Sequence, residues 1–243
     1  TANQQISKAL EKEQALNNMK TNFVRMVSHE YRTPLTVILS SAEILEYSAK
    51  DLSSEQMSQQ IKKIKSSISR MTNMVDDVLV FDKINNEEPK TPSDKVELVA
   101  FTRLIIEDIE SIDDKKHKIT FESNAEEIPF LTDERLLYHI ISNLIVNATK
   151  YSAPNTEINI NLYRNHRSVK FAIKDQGVGI SKEEIDKIFD PFHRGRNVFN
   201  TQGTGFGLTI VKKATESLSG EIKVETIENF GSTFYVILPD LNS

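Results

Sequence analysis

Two domains of different class are predicted for this chain. The first is an all-α helical hairpin that pairs with a second copy into a dimeric four-helix bundle, the alternative being that it packs against the second domain. The second is an α/β sandwich built on a mixed, largely antiparallel sheet. Three observations lead there. All 8 glycines lie at Gly177 or later, and Thr1 to Glu88 holds no glycine and one proline, so that stretch can be nearly continuous helix. Ile61, Ile64, Ile68, Met71, Val75 and Val78 follow the 3-4-3-4-3 spacing of a bundle seam. After the linker the period changes: Ile158, Ile160 and Leu162 alternate along one strand, and Val169, Phe171 and Ile173 along the next.

Composition narrows the classes further. The 243 residues are 38% apolar and 27% charged, which fits neither a disordered chain nor a membrane bundle. The apolar run Leu136 to Val146 is broken by His139, Ser142 and Asn143, and falls short of the roughly 20 residues a span needs. No basic head followed by an apolar core opens the chain, so no signal peptide is expected. It opens within a helical pattern on Thr1 rather than Met, as expected of a piece of a longer protein. With no cysteine, disulfides, thiolate nucleophiles and Cys-ligated metals are excluded. A formal charge of −5 argues against a general nucleic-acid binder.

In chain order, the pattern Ile6 to Met19 is a helical lead-in to helix one, which runs to about Ser48. Phe23, Val27, Pro34, Ile38, Ala42 and Leu45 share one broad face, with Met26, Tyr31 and Leu35 on its flanks. At about 100° per residue His29 points roughly 200° from that stripe, toward solvent. Helix two starts near Ser53 or Ser54, where Ser53 can cap it and Glu55 or Gln56 sits in the first turn. The polar, Pro-punctuated segment Asn85 to Asp94 reads as a linker, and the domain boundary falls near residue 89, giving 1–88 and 89–243. Then come a strand over 118–122, a helix over 133–150, the two alternating strands, and a short helix over 182–188 capped by Ser181. A helix over 207–218 and strands over 221–226 and 232–238 close the domain, with helices on one face of the sheet.

Four places carry chemistry, each with a plain alternative. Asp175 with Gly177 and Gly179 is either a tight turn with an exposed carboxylate or an acceptor for a ligand amine beside backbone that approaches a flat ring. Gly203 to Leu208 enters a helix and resembles an anion-binding loop without a Walker lysine. Pro191 to Gln202 is a surface loop or a mobile lid, with Arg194 and Arg196 in reach of phosphates. Asn143 and Asn147, one turn apart, either bond each other and the backbone or present oxygens to a hydrated Mg²⁺. A solvent-facing His29 alone is only a solvated histidine.

Taken together, these pieces resemble the ordered boxes of the two-component sensor histidine kinases. Phe23-Val24-Arg25-Met26-Val27-Ser28-His29-Glu30-Tyr31-Arg32-Thr33-Pro34-Leu35 is similar to the H box, and Asn143 to Ser152 to the N box. Asp175-Gln176-Gly177-Val178-Gly179 resembles the G1 box, Phe189-Asp190-Pro191-Phe192 the F box, Gly203 to Leu208 the G2 box, and Gly231-Ser232-Thr233-Phe234 the closing turn and strand. Tyr31 and Phe206 stand where the family usually has Leu, and neither change removes a reactive group.

The resemblance implies a dimerisation and histidine-phosphotransfer domain followed by a catalytic ATP-binding domain of the gyrase/Hsp90/histidine kinase/MutL fold with an ATP lid. His29 would be the phosphoacceptor, Glu30 the group drawing a proton from its ring, and Thr33 the residue that places water in a phosphatase reaction. Asn147 would bind Mg²⁺ with Asn143 beside the triphosphate. Lys150 would approach the phosphates, Tyr151 line the site, and Asp175 accept from the adenine amine. Gly177, Gly179, Ile180, Phe192, Arg194, Gly203, Thr204, Gly205, Phe206, Gly207 and Leu208 complete the ATP contacts, with Arg194 near the γ-phosphate. The implied partners are a second copy, a response-regulator receiver domain and an upstream sensor domain absent from this chain, with no nucleic acid. The implied place is the cytoplasmic portion of a soluble or membrane-anchored parent. A dimeric scaffold that binds ATP without transferring phosphate, or a protein acting mainly as a phosphatase, would carry the same motifs. The signal sensed and the choice between phosphorylation in cis and in trans are not written in these residues.

Overall fold

The described part of the glycine-free stretch folds into helices, and the described part of the mixed remainder into layers. In the computed structural model the described residues are 21, 25, 27–28, 30–47, 52–86, 94–113, 116–191, 193 and 205–240. They fall into two compact units, 1–76 and 77–243, divided inside the second long helix. The lead-in over 6–19, with Phe23 and Met26, lies outside the described residues.

In the first unit, helix α1 covers 30–47, and helix α2 (Ser54–Asn86) begins there. Ser53 caps α2 reciprocally: its hydroxyl accepts from Gln56 N at 3.2 Å, and the Gln56 side chain accepts from Ser53 N at 2.9 Å. Pro34 and Ser41 are buried on α1 and Ala42 is exposed, so the inward line runs beside Ala42 rather than through it. A similar shift occurs on α2. Ser67 and Met74 are buried and Ile64 and Met71 half-buried, whereas Ile61, Ile68 and Val75 are 45%, 51% and 42% exposed. Helix two therefore carries two apolar lines about one residue apart. The expected seam mixes them, and only one turns inward.

The second unit includes the last turns of α2, where the Phe81 ring meets that of the fully buried Phe206 at 5.4 Å between centroids. Strand β1 (Asp94–Glu97) and helix α3 (Leu98–Asp113) follow directly. Neither was expected, and the linker accordingly shrinks to 87–93, outside the described residues. Leu98, Val99, Thr102, Ile105, Ile106 and Ile109 form the buried stripe of α3. Glu97 starts this helix by accepting from Val99 N at 3.1 Å, Ala100 N at 2.6 Å and, from a distant loop, Ile128 N at 2.7 Å. Burial raises the Glu97 pKa, but these backbone donors outweigh it and hold the carboxyl below the ordinary glutamate range. Its stabilisation is therefore present above that range and lost as pH falls through the lower folded value. Glu97→Ala should cost about 1–2 kcal/mol. Amide exchange checks it: Val99, Ala100 and Ile128 should lose protection together, and unchanged protection would contradict the cap.

Strands β2 (Lys118–Ser123) and β3 (Pro129–Thr132) precede helix α4 (Glu134–Tyr151). Asp133 caps α4, its Oδ1 accepting from Arg135 N and Leu136 N at 2.9 and 3.2 Å. Strands β4 (Glu157–Arg164) and β5 (Ser168–Lys174), helix α5 (Gly207–Ser217), and strands β6 (Glu221–Ile227) and β7 (Gly231–Pro239) complete the unit. Five strands form one sheet in the order β2-β4-β5-β7-β6, with β2 and β4 parallel and the other neighbours antiparallel. β1 and β3 pair separately as an antiparallel ribbon. Ile158, Ile160, Leu162, Val169, Phe171, Ile173, Val236 and Leu238 bury one sheet face with residues of α3 and α4, as alternation requires.

The short helix expected over 182–188 is instead a run of turns. Glu184 N donates to Ser181 O, Lys187 N to Glu184 O and Asp190 N to Lys187 O, bonds of three-residue reach, and a single four-residue bond, Ile188 N to Glu184 O, joins them. The Ser181 hydroxyl sits 3.4 Å from the Glu184 carboxylate, where a helix cap would use it on a backbone N–H.

Candidate functional site

Helix α4 carries a row of polar side chains along the edge of its apolar face. Asn143 Nδ2 donates to the His139 carbonyl at 2.8 Å, which turns its Oδ1 away from the helix axis. That oxygen lies 3.0 Å from where a Cβ on Gly207 would stand, and Asn147 Nδ2 lies 3.6 Å from the same point. The start of α5 thus faces both asparagines, and a side chain at Gly207 would crowd them. Among the described residues no side-chain hydrogen bond caps α5 at Phe206, and a helix start of this kind directs N–H groups that suit an anion. Asn147 is half-buried, and its side chain has no hydrogen-bond partner among the described residues. Its amide oxygen is a hard donor of the kind a hydrated Mg²⁺ uses, so the residues present fit that ion. Among the described residues no group of His, Asp and Glu is arranged to hold a metal.

At the end of α4, Lys150 Nζ donates to the Tyr151 hydroxyl at 3.0 Å and lies 4.6 Å from that ring's centroid. The Tyr151 carbonyl accepts from Val178 N at 3.2 Å, tying helix to loop. Gly177 is required there, because a Cβ would fall 2.5 Å from the Tyr151 carbonyl oxygen. Gly179 holds φ of +63° with the Ile227 carbonyl 2.2 Å from its would-be Cβ, so backbone packs where a side chain cannot.

Asp175 directly follows β5 and is 7% exposed. Gly177 N and Ser232 N donate to its Oδ1 at 2.8 and 3.1 Å. Oδ2 takes no bond from the described residues, and is available to a ligand donor. Burial pushes the Asp175 pKa above the ordinary aspartate range, against the pull of those two N–H groups. Supporting it are two residues whose part the sequence does not announce. Thr226 Oγ1 accepts from Ile180 N at 2.9 Å and lies 2.9 Å from the Ser232 hydroxyl. Only the Gly-Ser-Thr-Phe turn hinted at Ser232; nothing marked Thr226.

Phe206 and Leu208 flank Gly207, Gly205 holds φ of +73°, and Thr209 Oγ1 donates to Phe189 O at 3.2 Å. Asn143, Asn147, Lys150, Tyr151, Asp175, Gly177, Gly179, Ile180, Gly205, Phe206, Gly207 and Leu208 therefore all belong to the second unit. Phe192, Arg194, Gly203 and Thr204 lie outside the described residues. In the first unit Thr33 is exposed and Glu30 half-buried, while His29 lies outside the described residues. The arrangement can accept an amine on a flat ring at one end and bind polyanionic oxygens at the other.

Residues 132–242 match the model of the histidine kinase-, DNA gyrase B- and HSP90-like ATPase, and residues 19–87 that of the His Kinase A (phospho-acceptor) domain. The heme sensor protein HssS of Staphylococcus saprophyticus is 32% identical over 221 residues, which cover 91% of this chain and 47% of that protein. The chain spans about half or less of the curated relatives it matches. Full-length ShkA in complex with AMPPNP is similar at 25% identity and a TM-score of 0.65, covering 87% of this chain and 44% of that one. Histidine kinase ThkA in complex with the response regulator TrrA shares the fold at a TM-score of 0.70 and 23% identity, over 90% of this chain and 61% of that one. No helix among the described residues is long and apolar enough to cross a membrane.

Proposed function

The chain belongs to the two-component sensor histidine kinases, and we propose that it phosphorylates its own His29 from Mg·ATP and passes that phosphoryl group to an aspartate of a response-regulator receiver domain. The observation that carries this reading is the convergence of Asp175 Oδ2, the close-packed loop at Gly177 and Gly179, and the start of α5 facing Asn143 and Asn147 at Gly207. A nucleotide spans such a site with its base on Asp175 and its phosphates at α5.

A neutral imidazole nitrogen of His29 attacks the γ-phosphorus, the bond to the β–γ bridging oxygen breaks, and ADP leaves. The other ring nitrogen bears a proton that Glu30 draws, which keeps the attacking lone pair available. Asn147 would hold Mg²⁺, which neutralises phosphate charge when bound. Lys150 leaves the Tyr151 hydroxyl to meet phosphate oxygens, and Arg194 approaches from the lid. We place the functional boundary near residue 89, so that 1–88 carries the acceptor and the dimer contact, and 89–243 the nucleotide. The exposed Ile61, Ile68 and Val75 give a second copy an apolar line to cover. The parent protein would add a sensor domain and set whether this portion is tethered to a membrane.

Incubation with γ-labelled ATP and Mg²⁺ tests the reading. Acid-labile, base-stable label on His29 is expected, and nucleotide binding without label would replace the kinase by an ATP-binding scaffold. We extend the proposal to phosphatase activity on the regulator. Thr33 follows His29 by four residues, a spacing of about 40° on a regular helix, and is itself exposed. Its hydroxyl can direct a water at a phospho-aspartate. Thr33→Ala should lower the dephosphorylation rate of the labelled regulator tenfold or more and leave autophosphorylation within twofold. Equal loss of both activities would mean helix damage next to Pro34 instead.

A further inference from the structure

Arg70 occupies a place where a helical hairpin ordinarily puts an apolar side chain. It follows Ser67 by three residues and precedes Met74 by four, and those two are 8% and 2% exposed on the inward line of α2. A guanidinium on such a line is tolerated only when its charge is answered. Across the hairpin, Arg70 Nη2 lies 3.9 Å from Glu30 Oε2 of α1, with side chains 27% and 12% exposed. The separation is that of facing charges rather than of a hydrogen bond. Pairs this secluded are inefficient sources of stability, since an apolar pair of similar volume commonly does as well or better. The carboxylate so held is the covalent neighbour of His29.

We propose that Arg70 is a positioning residue for phosphoryl transfer: it holds the Glu30 carboxylate in the direction from which that group draws the proton of the His29 ring. The inference rests on the reading of His29 and Glu30 given above. As the N–P bond forms and ADP departs, the ring proton moves toward Glu30, and the adjacent guanidinium keeps that carboxylate from swinging into solvent. At 3.9 Å the guanidinium restrains the carboxylate by charge rather than by a hydrogen bond of its own.

The test uses the whole chain in five forms: unaltered, Arg70→Met, Arg70→Lys, Glu30→Gln, and Glu30→Gln combined with Arg70→Met. Methionine fills the same length with apolar groups, so a packing role predicts full activity from Arg70→Met and loss from Arg70→Lys. Positioning predicts the reverse: initial labelling of His29 about tenfold slower in Arg70→Met, within threefold of the unaltered chain in Arg70→Lys, and ATP affinity unchanged in both. In the Glu30→Gln background, Arg70→Met should slow labelling less than twofold further, because both substitutions act on one step. Full activity of Arg70→Met, or losses that multiply in the double variant, would overturn the proposal. A second readout needs no phosphorylation: ring-¹⁵N spectra without ATP should show the His29 tautomer ratio shifted in Arg70→Met and restored in Arg70→Lys, and an unshifted ratio rejects the role. Absence of label from the unaltered chain would defeat the kinase reading instead, with the tautomer ratio still deciding for or against Arg70.

Discussion

Replacing His29 by glutamine is expected to remove all acid-labile phosphate from the chain while leaving its affinity for ATP within twofold. Glutamine keeps the polarity and favours the helix at least as well as histidine does. Its amide nitrogen, however, has no lone pair free to attack phosphorus. The described nucleotide-site residues lie in the second unit, so the variant leaves them intact. Two of the other four histidines are held within the second unit: His117 is buried with its Nδ1 on the Asp113 carboxylate at 3.0 Å, and burial, with Arg135 nearby, pushes the pKa of the half-buried His139 down. Labelling at saturating Mg·ATP and titration calorimetry measure the two halves of the expectation. Stoichiometric acid-labile label in His29→Gln would show that the acceptor is elsewhere.

Asp175→Asn should cost about 100-fold in ATP affinity, equivalent to roughly 2.7 kcal/mol, without unfolding the domain. The asparagine oxygen can still accept from Gly177 N and Ser232 N, as Oδ1 does now. At the Oδ2 position an N–H donor would then confront the adenine amine, two donors with no acceptor between them. The same change should improve binding of inosine triphosphate, whose exocyclic carbonyl oxygen accepts where the adenine amine donates. Comparing the two nucleotides by calorimetry therefore separates lost recognition from lost folding; equal weakening of both would point to a damaged loop. A pH dependence accompanies this. The folded-state pKa of Asp175 is raised, so a proton blocks the acceptor as pH falls through that value, and ATP affinity declines there in the unaltered chain but not in Asp175→Asn. The nucleotide-free fold behaves oppositely: the group stabilises it below the ordinary aspartate range, and that contribution disappears as pH rises through the raised folded value.

Much of this molecule is visible one short window at a time. The Ser53 and Asp133 caps, the alternation along β4, β5 and β7, and the glycines crowded by backbone at 177 and 179 each express an energy set within a few residues. The six ordered motifs belong to the same category, since their spacing needs no coordinates. The buried stripe of α3 was present in the residues too, but its start follows the proline-rich linker so closely that a polar run masked it. Other features depended on distant partners. Which of two neighbouring apolar lines on α2 turns inward is decided by the helix it meets, leaving Ser67 inside and Ile68 outside. The strands β1 and β3 span four residues each, too few to alternate legibly, and exist because they pair with one another. Asp175 receives Ser232 from 57 residues away, and Arg70 meets Glu30 on the opposite helix. Propensity, period and capping are local energies that a sequence displays directly. Register, strand pairing and the company of a buried charge are energies between segments that only folding brings together.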